Sequence, residues 1–186
     1  MRIVGGRLRG RAIAMPPAGA PIRPTAERLR EALFNILVHA YGDPVTGARV
    51  LDLFAGTGAL GLEALSRGAE FALFIDDGAP ARALIRANIE ALGLAGVTRI
   101  FRRDAAALGA AHPVESFSLV FVDPPYGRQL AGKALAAARA GGWLAPDALI
   151  VVEESAKEEF VAPEGFEERE RRCYDDTMLV FLALAS

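Results

Sequence analysis

RVLDLFAGTGALG, residues 49–61, runs from an apolar strand through a glycine-rich turn into the start of a helix. Val50, Leu51, Leu53 and Phe54 form a short apolar run suited to a central parallel strand buried on both faces. ALGLEAL, residues 59–65, resumes at helical spacing. Between the two the chain has almost no side chains. Gly56 and Gly58 permit positive φ and let a ligand approach backbone N–H groups at the positive end of the following helix. The stretch therefore reads as a nucleotide-sized cradle on an α/β sheet.

Gly56, Gly58 and Gly61 also satisfy G-x-G-x-x-G, the fingerprint of a dinucleotide-binding turn. Two acids pull away from NAD. Asp52 lies in the strand, four residues before the first glycine, where a carboxylate would face a cationic amino group. Asp76 ends the next strand, at roughly the distance from the turn at which ribose hydroxyls are read. S-adenosylmethionine carries both an ammonium and a ribose, whereas NAD lacks the ammonium. A glycine turn with helix-capping acids is the plain alternative, and an NAD-dependent dehydrogenase is the competing enzyme class.

Outward from this turn the pattern alternates. Apolar runs at 50–54, 71–75, 98–102, 117–122 and 149–152 are separated by helical stretches at 59–67, 80–92 and 130–139. Such alternation predicts a parallel sheet covered on both faces. Pro80 suits a first helical position, and Gly68 and Gly93 suit helix ends. Residues 169–174 and 178–184 read as a closing antiparallel pair. Upstream, Thr25 suits an N-cap for a helix with Leu29, Leu33, Ile36 and Leu37 on its inner stripe. Residues 2–15 read as a small β-hairpin and 16–24 as a stiff proline-bearing connector.

The 186 residues suffice for one domain with a sizeable core. No apolar run approaches the roughly 20 residues of a spanning helix, and MRIVGGRLRGR has no signal-peptide character, so a cytoplasmic protein is expected, with no membrane partner. A single cysteine, Cys173, excludes an internal disulfide, and with two histidines no zinc cluster is expected. The net charge of −2 conceals an asymmetry: the first thirty residues carry seven arginines against Glu27, a net of +6, which leaves −8 for the remainder. Arg2, Arg7, Arg9, Arg11 and Arg23 are the candidate nucleic-acid contacts, since arginine's planar fork suits phosphates and guanine edges. On this reading the arm stands outside the acidic core, and its loss would leave cofactor affinity unchanged.

The sharpest chemical signal is Asp123-Pro124-Pro125-Tyr126, delivered to the carboxyl end of the fourth strand by Leu119-Val120-Phe121-Val122. Neither proline donates a backbone hydrogen bond and both have fixed φ, so the Asp123 carboxylate and Pro124 carbonyl can be aimed as an acceptor pair. Such a pair suits an N–H₂ group. Tyr126 offers a flat face on which an unstacked base could lie. A proline-rich turn closing a strand over a core tyrosine is the bland alternative.

Taken together, RIVGGRLRGR, IRPTAERLREALFNIL at 22–37, VLDLFAGTGALGLEALSRGA, VFVDPPY and GGWLAPDALIVVE at 141–153 resemble the bacterial small-subunit ribosomal RNA guanine-N2 methyltransferases of the RsmD type. The resemblance runs nearly end to end. It implies a class I, Rossmann-like S-adenosylmethionine-dependent methyltransferase sheet, parallel with an antiparallel closing strand, in a domain at 25–186 behind a basic arm and connector at 1–24. It implies S-adenosylmethionine as methyl donor and a guanine of 16S ribosomal RNA as acceptor; a monomer acting on naked RNA or on an assembling small subunit is the separate expectation. By position, Asp52, Gly56 and Gly58 match the first cofactor motif, Asp76 the ribose-binding acid, and residues 123–126 the amine-binding loop. Asp104 would by the same resemblance lie near the adenine. Two departures stand out: Asp76 where relatives more often have glutamate, and Asp175 where many have glycine, which affects the shape of the last hairpin.

The guanine exocyclic amine is a poor nucleophile because its lone pair is delocalised into the ring. Acceptors at Asp123 and Pro124 would hold its N–H bonds and aim the lone pair, and Asp123 or water would take the proton after methylation. Methylation of adenine N6, of another base or of a protein amide would use the same logic. A non-catalytic RNA-binding protein is a further reading, which Gly56, Gly58 and Asp123 disfavour.

Overall fold

The computed structural model describes residues 1–20 and 25–186; Arg23 lies outside the described residues. After helix α1 (Glu27–Ala40) come β1 (Arg49–Leu53), α2 (Ala59–Ser66), β2 (Phe71–Ile75), α3 (Ala79–Leu92), β3 (Thr98–Phe101) and β4 (Phe117–Val122), then α4 (Leu130–Ala140), β5 (Leu144–Ser155), β6 (Phe166–Tyr174) and β7 (Thr177–Leu184). The seven strands make one sheet in the order β3-β2-β1-β4-β5-β7-β6. The first five strands run parallel, β7 returns antiparallel to β5, and β6 lies antiparallel at the edge. The alternation predicts the parallel part of this sheet and the closing antiparallel pair its far edge; the whole has the order that the resemblance implies.

Burial explains the composition of the strands. Val50, Leu51 and Leu53 are fully inaccessible because helices cover both sheet faces. Leu33, Phe34 and Leu37 of α1, Leu62 and Leu65 of α2, and Ile85 and Ile89 of α3 pack with Val50, Phe74 and Phe121 on one face. Ala131, Ala134, Leu135 and Ala138 of α4 pack with Trp143, Leu51 and Val120 on the other. The strand order reverses between β1 and β4, and a ligand crevice forms at the carboxyl ends of strands beside such a switch. Leu53 pairs with Val122 there, and the Asp123 N–H donates to the Leu53 carbonyl at 3.3 Å, which sets the glycine turn beside the Asp-Pro-Pro-Tyr loop.

Four expectations change. Thr25 does not cap α1: the capping position falls on Ala26 with no side-chain bond, and the Thr25 hydroxyl instead donates to Asp123 Oδ2 at 3.3 Å. Residues 2–15 form one antiparallel bridge, Arg2 with Ala12, rather than a laddered hairpin. Nor do they stand apart from the core, because Ile3, Leu8 and Ile13 are buried in the same cluster as α1, α2 and α3. Arg30, counted with the basic arm, is wholly buried: its Nε donates to Glu63 Oε2 at 3.0 Å, and its other nitrogens reach the Arg2 and Thr25 carbonyls. Its charge is neutralised inside the fold.

Candidate active site at the carboxyl edge of the sheet

The cradle is built by backbone conformation. Phe54, Gly56 and Gly58 take φ of 57°, 60° and 78°, turning the chain sharply between β1 and α2. Gly58 is the N-cap residue of α2 in the left-handed region, where a side chain would be strained. Gly61 is present for another reason: a Cβ there would run into the Phe74 ring, so this glycine permits close packing of helix on strand. Phe54 holds a left-handed conformation that its residue type does not announce.

Two carboxylates hold the turn. Asp52 is 1% exposed, and its Oδ2 accepts from the Gly61 N–H at 3.0 Å. Burial pushes its carboxyl up to about 8, opposed by that N–H and assisted by the charge of Asp76. Asp76, at the end of β2, accepts from Gly56 N–H at 3.0 Å and from Gly78 N–H at 2.8 Å, tying the glycine turn to the start of α3. Burial also raises the Asp76 carboxyl, and the two backbone donors work against that rise. Each oxygen keeps a second lone pair for a ligand hydroxyl.

A cavity of about 440 Å³ joins this cradle to the fourth strand. Asp52, Gly56, Thr57 and Asp76 line one side, and Thr25, Asp123, Pro124, Pro125 and Tyr126 line the other. The volume falls within the range of small-molecule sites. Pro124 is buried, while Asp123 and Tyr126 are half-buried at the rim. The Tyr126 hydroxyl lies 3.1 Å from Thr177 Oγ1 and 3.5 Å from Glu153 Oε1, so its ring is steadied from β7 and β5.

The structure thus brings together Asp52, Gly56, Asp76, Asp123, Pro124 and Tyr126. Gly58 shapes the turn without lining the cavity. Asp104 does not line it either: it is exposed after β3, and its carboxylate accepts from the Ala106 N–H at 2.8 Å. Arg2, Arg7, Arg9 and Arg11 are exposed on the arm, outside the cavity lining. Arg11 donates to the Ala91 carbonyl and Arg2 to that of Gly10. Sequence reasoning missed Thr25, Glu153 and Thr177, whose approach to the site is long-range.

The family described as Conserved hypothetical protein 95 matches residues 1–183. The ribosomal RNA small subunit methyltransferase D of Escherichia coli strain K12 is 43% identical over 154 residues, which is 82% of this chain and 74% of that protein. The solved structure of yhhF from Escherichia coli, described as a methyltransferase, superposes with a TM-score of 0.81 at 33% identity over 99% of this chain and 97% of its own. A hypothetical protein of Thermus thermophilus superposes with a TM-score of 0.77 at 31% identity over 99% of both chains. The chain belongs to this family, the RsmD family of methyltransferases.

Proposed function

We propose that this RsmD-family member methylates the exocyclic N2 amine of a guanine in 16S ribosomal RNA, with S-adenosylmethionine as donor. The observation that carries the reading is the cavity of about 440 Å³ with a carboxylate-held glycine turn on one wall and Asp123, Pro124 and Tyr126 on the other. The donor set fits the cofactor: Asp52 for an ammonium, Asp76 for ribose hydroxyls, and an open backbone turn at Gly56. S-adenosylmethionine, when bound, supplies an electrophilic methyl on a sulfonium.

The chain's own groups then do the rest. Asp123 and the Pro124 carbonyl accept the two amine N–H bonds and point the nitrogen lone pair into the cavity, so orientation and placed charge lower the barrier. Tyr126, its hydroxyl anchored, stacks on an unstacked guanine. Asp123 receives the proton that the methylated nitrogen sheds. Arg2, Arg7, Arg9 and Arg11 offer exposed cations to the RNA backbone, and Arg23 joins them on sequence grounds. The reading extends to a monomer acting in the cytoplasm on the RNA of the assembling subunit.

Single-turnover methylation of small-subunit RNA is the test. Asp123→Ala lowers the transfer rate by on the order of a hundredfold or more and leaves S-adenosylhomocysteine affinity nearly intact, because the contact matters most as the amine rehybridises. Transfer at the parent's rate would remove Asp123 from the chemistry. Asp76→Ala should weaken S-adenosylhomocysteine by roughly tenfold to a hundredfold, the loss of a charge-assisted hydrogen bond. An unchanged calorimetric affinity would remove Asp76 from the cofactor site.

A further inference from the structure

Asn88, on α3, is 1% exposed and does not itself line the cavity. Its Oδ1 accepts from the Ala14 N–H of the arm at 2.7 Å, and its Nδ2 donates to the Thr57 carbonyl at 3.0 Å. The orientation of the amide is fixed by its partners, since a backbone N–H only donates and a carbonyl only accepts. Thr57 lies between Gly56 and Gly58, inside the turn that lines the cavity. One buried side chain therefore spans from the basic arm to the cofactor cradle.

A second tie runs in parallel. Glu63, buried on α2, accepts from the Val4 and Gly5 N–H groups at 3.0 and 2.8 Å, and the helix it belongs to begins right after Gly58. The approach is close enough that a Cβ on Gly6 would run into the Ser66 carbonyl. The arm is thus seated on the two helices that flank the turn.

We propose that Asn88 is a positioning residue that couples the arm to the cofactor turn, so that RNA held by the arm and cofactor held by the turn strengthen each other's binding. The proposal rests on the reading above that the arm binds RNA. With the arm seated, Asn88 holds the Thr57 carbonyl and with it the Gly56 N–H that meets Asp76. RNA that orders the arm leaves less of the turn to be ordered by cofactor, and the reverse follows by linkage. Asn88 touches no reacting atom. Its effect passes wholly through the turn.

The experiment is a binding cycle with the full chain: affinity for small-subunit RNA with and without saturating S-adenosylhomocysteine, and S-adenosylhomocysteine affinity with and without RNA. In the parent, each ligand tightens the other by the same factor, about fivefold or more. Asn88→Asp keeps the acceptor for Ala14 and replaces the donor to Thr57 by an oxygen. It should weaken S-adenosylhomocysteine by about tenfold and bring the coupling factor to about one, with RNA affinity in the absence of cofactor within twofold of the parent. A parent with no coupling overturns the inference without any variant having to fold. So does an Asn88→Asp protein that keeps the parent's coupling factor, or one that loses RNA affinity in the absence of cofactor, which would make Asn88 a prop for the arm alone. The RNA reading fails separately, if alanine at Arg7 and Arg9 leaves RNA affinity unchanged.

Discussion

Asp52 carries the most legible pH dependence at the scale of a single residue. In the unfolded chain its carboxyl titrates near 4, and in the fold burial lifts it to about 8. Between those values the folded protein binds more protons than the unfolded one, so the protein without cofactor loses stability as pH rises through that window. A ligand ammonium at Asp52 reverses the preference and drives the proton off. Affinity for S-adenosylhomocysteine should therefore increase from pH 6 to pH 8, approaching tenfold per unit while one proton is released on binding, and Asp52→Asn should flatten the profile. Calorimetry across that range, in two buffers of different ionisation enthalpy, reads both the affinity and the proton; a flat profile in the parent would place the ammonium elsewhere. Asp52, Asp76 and Asp123 are legible in the sequence because strand ends fix their place. Thr25 is not, since the local rule makes it a cap, while its actual partner, Asp123, lies 98 residues away. Asn88 likewise gives no local sign that it bonds to the arm and the turn.

Among the elements, the central ones follow their apolar runs, and the structure returns β2 at Phe71–Ile75 and β4 at Phe117–Val122 as expected. The apolar run at 149–152 marks only part of β5, which spans Leu144–Ser155, because Pro146 and Asp147 look like loop residues until the pairings to β4 and β7 are known. β6 also starts earlier than its expected range, at Phe166, where alternating glutamates and arginines disguise a strand. Charges there, with a register shift between Glu168 and Glu170, blunt the open edge against pairing with other chains. The hairpin that joins β6 to β7 accommodates Asp175 with φ of 51°, a left-handed position that aspartate tolerates better than most side chains. Asp175→Gly relieves that cost but enlarges the freedom of the unfolded chain, so stability should rise by only about 0.5 kcal/mol. Asp175→Val should lose more than about 1 kcal/mol, because a β-branched residue is strained there. Urea midpoints at constant slope would show the two changes; a valine variant as stable as the parent would mean the turn adopts another shape.

For the whole molecule, the sequence-wide charge count points correctly to a basic N-terminal region but not to how it is held. Arg30 and Arg67 both meet Glu63, at 3.0 and 2.9 Å, and Glu63 in turn holds the arm's backbone. Removing the shared acid leaves a buried Arg30 without its counter-charge, so Glu63→Ala should cost about 3–5 kcal/mol in equilibrium unfolding. A loss under about 1 kcal/mol would mean that water replaces the acid. Arg7 and Arg9 differ in kind from Arg30, because their backbones are seated while their side chains stand in solvent. Arg11 adds one bond, to the Ala91 carbonyl at the end of α3. With the remainder of the chain at −8, the role proposed for these exposed cations is to offset repulsion of an RNA backbone. Every phosphate deprived of its arginine should reduce the slope of log affinity against log salt by about 0.7–0.9, so alanine at Arg7, Arg9 and Arg11 together should flatten it by about two units. Glu63 and Asn88 still seat the arm in that variant, so S-adenosylhomocysteine affinity without RNA should stay within about twofold of the parent, a small shift on the scale of tenfold per 1.4 kcal/mol. RNA binding over a salt series, on naked small-subunit RNA and on a protein-loaded particle, measures the slope directly. If the slope is unchanged on both substrates, the arm serves only to brace α2 and α3, and RNA meets the protein on another face.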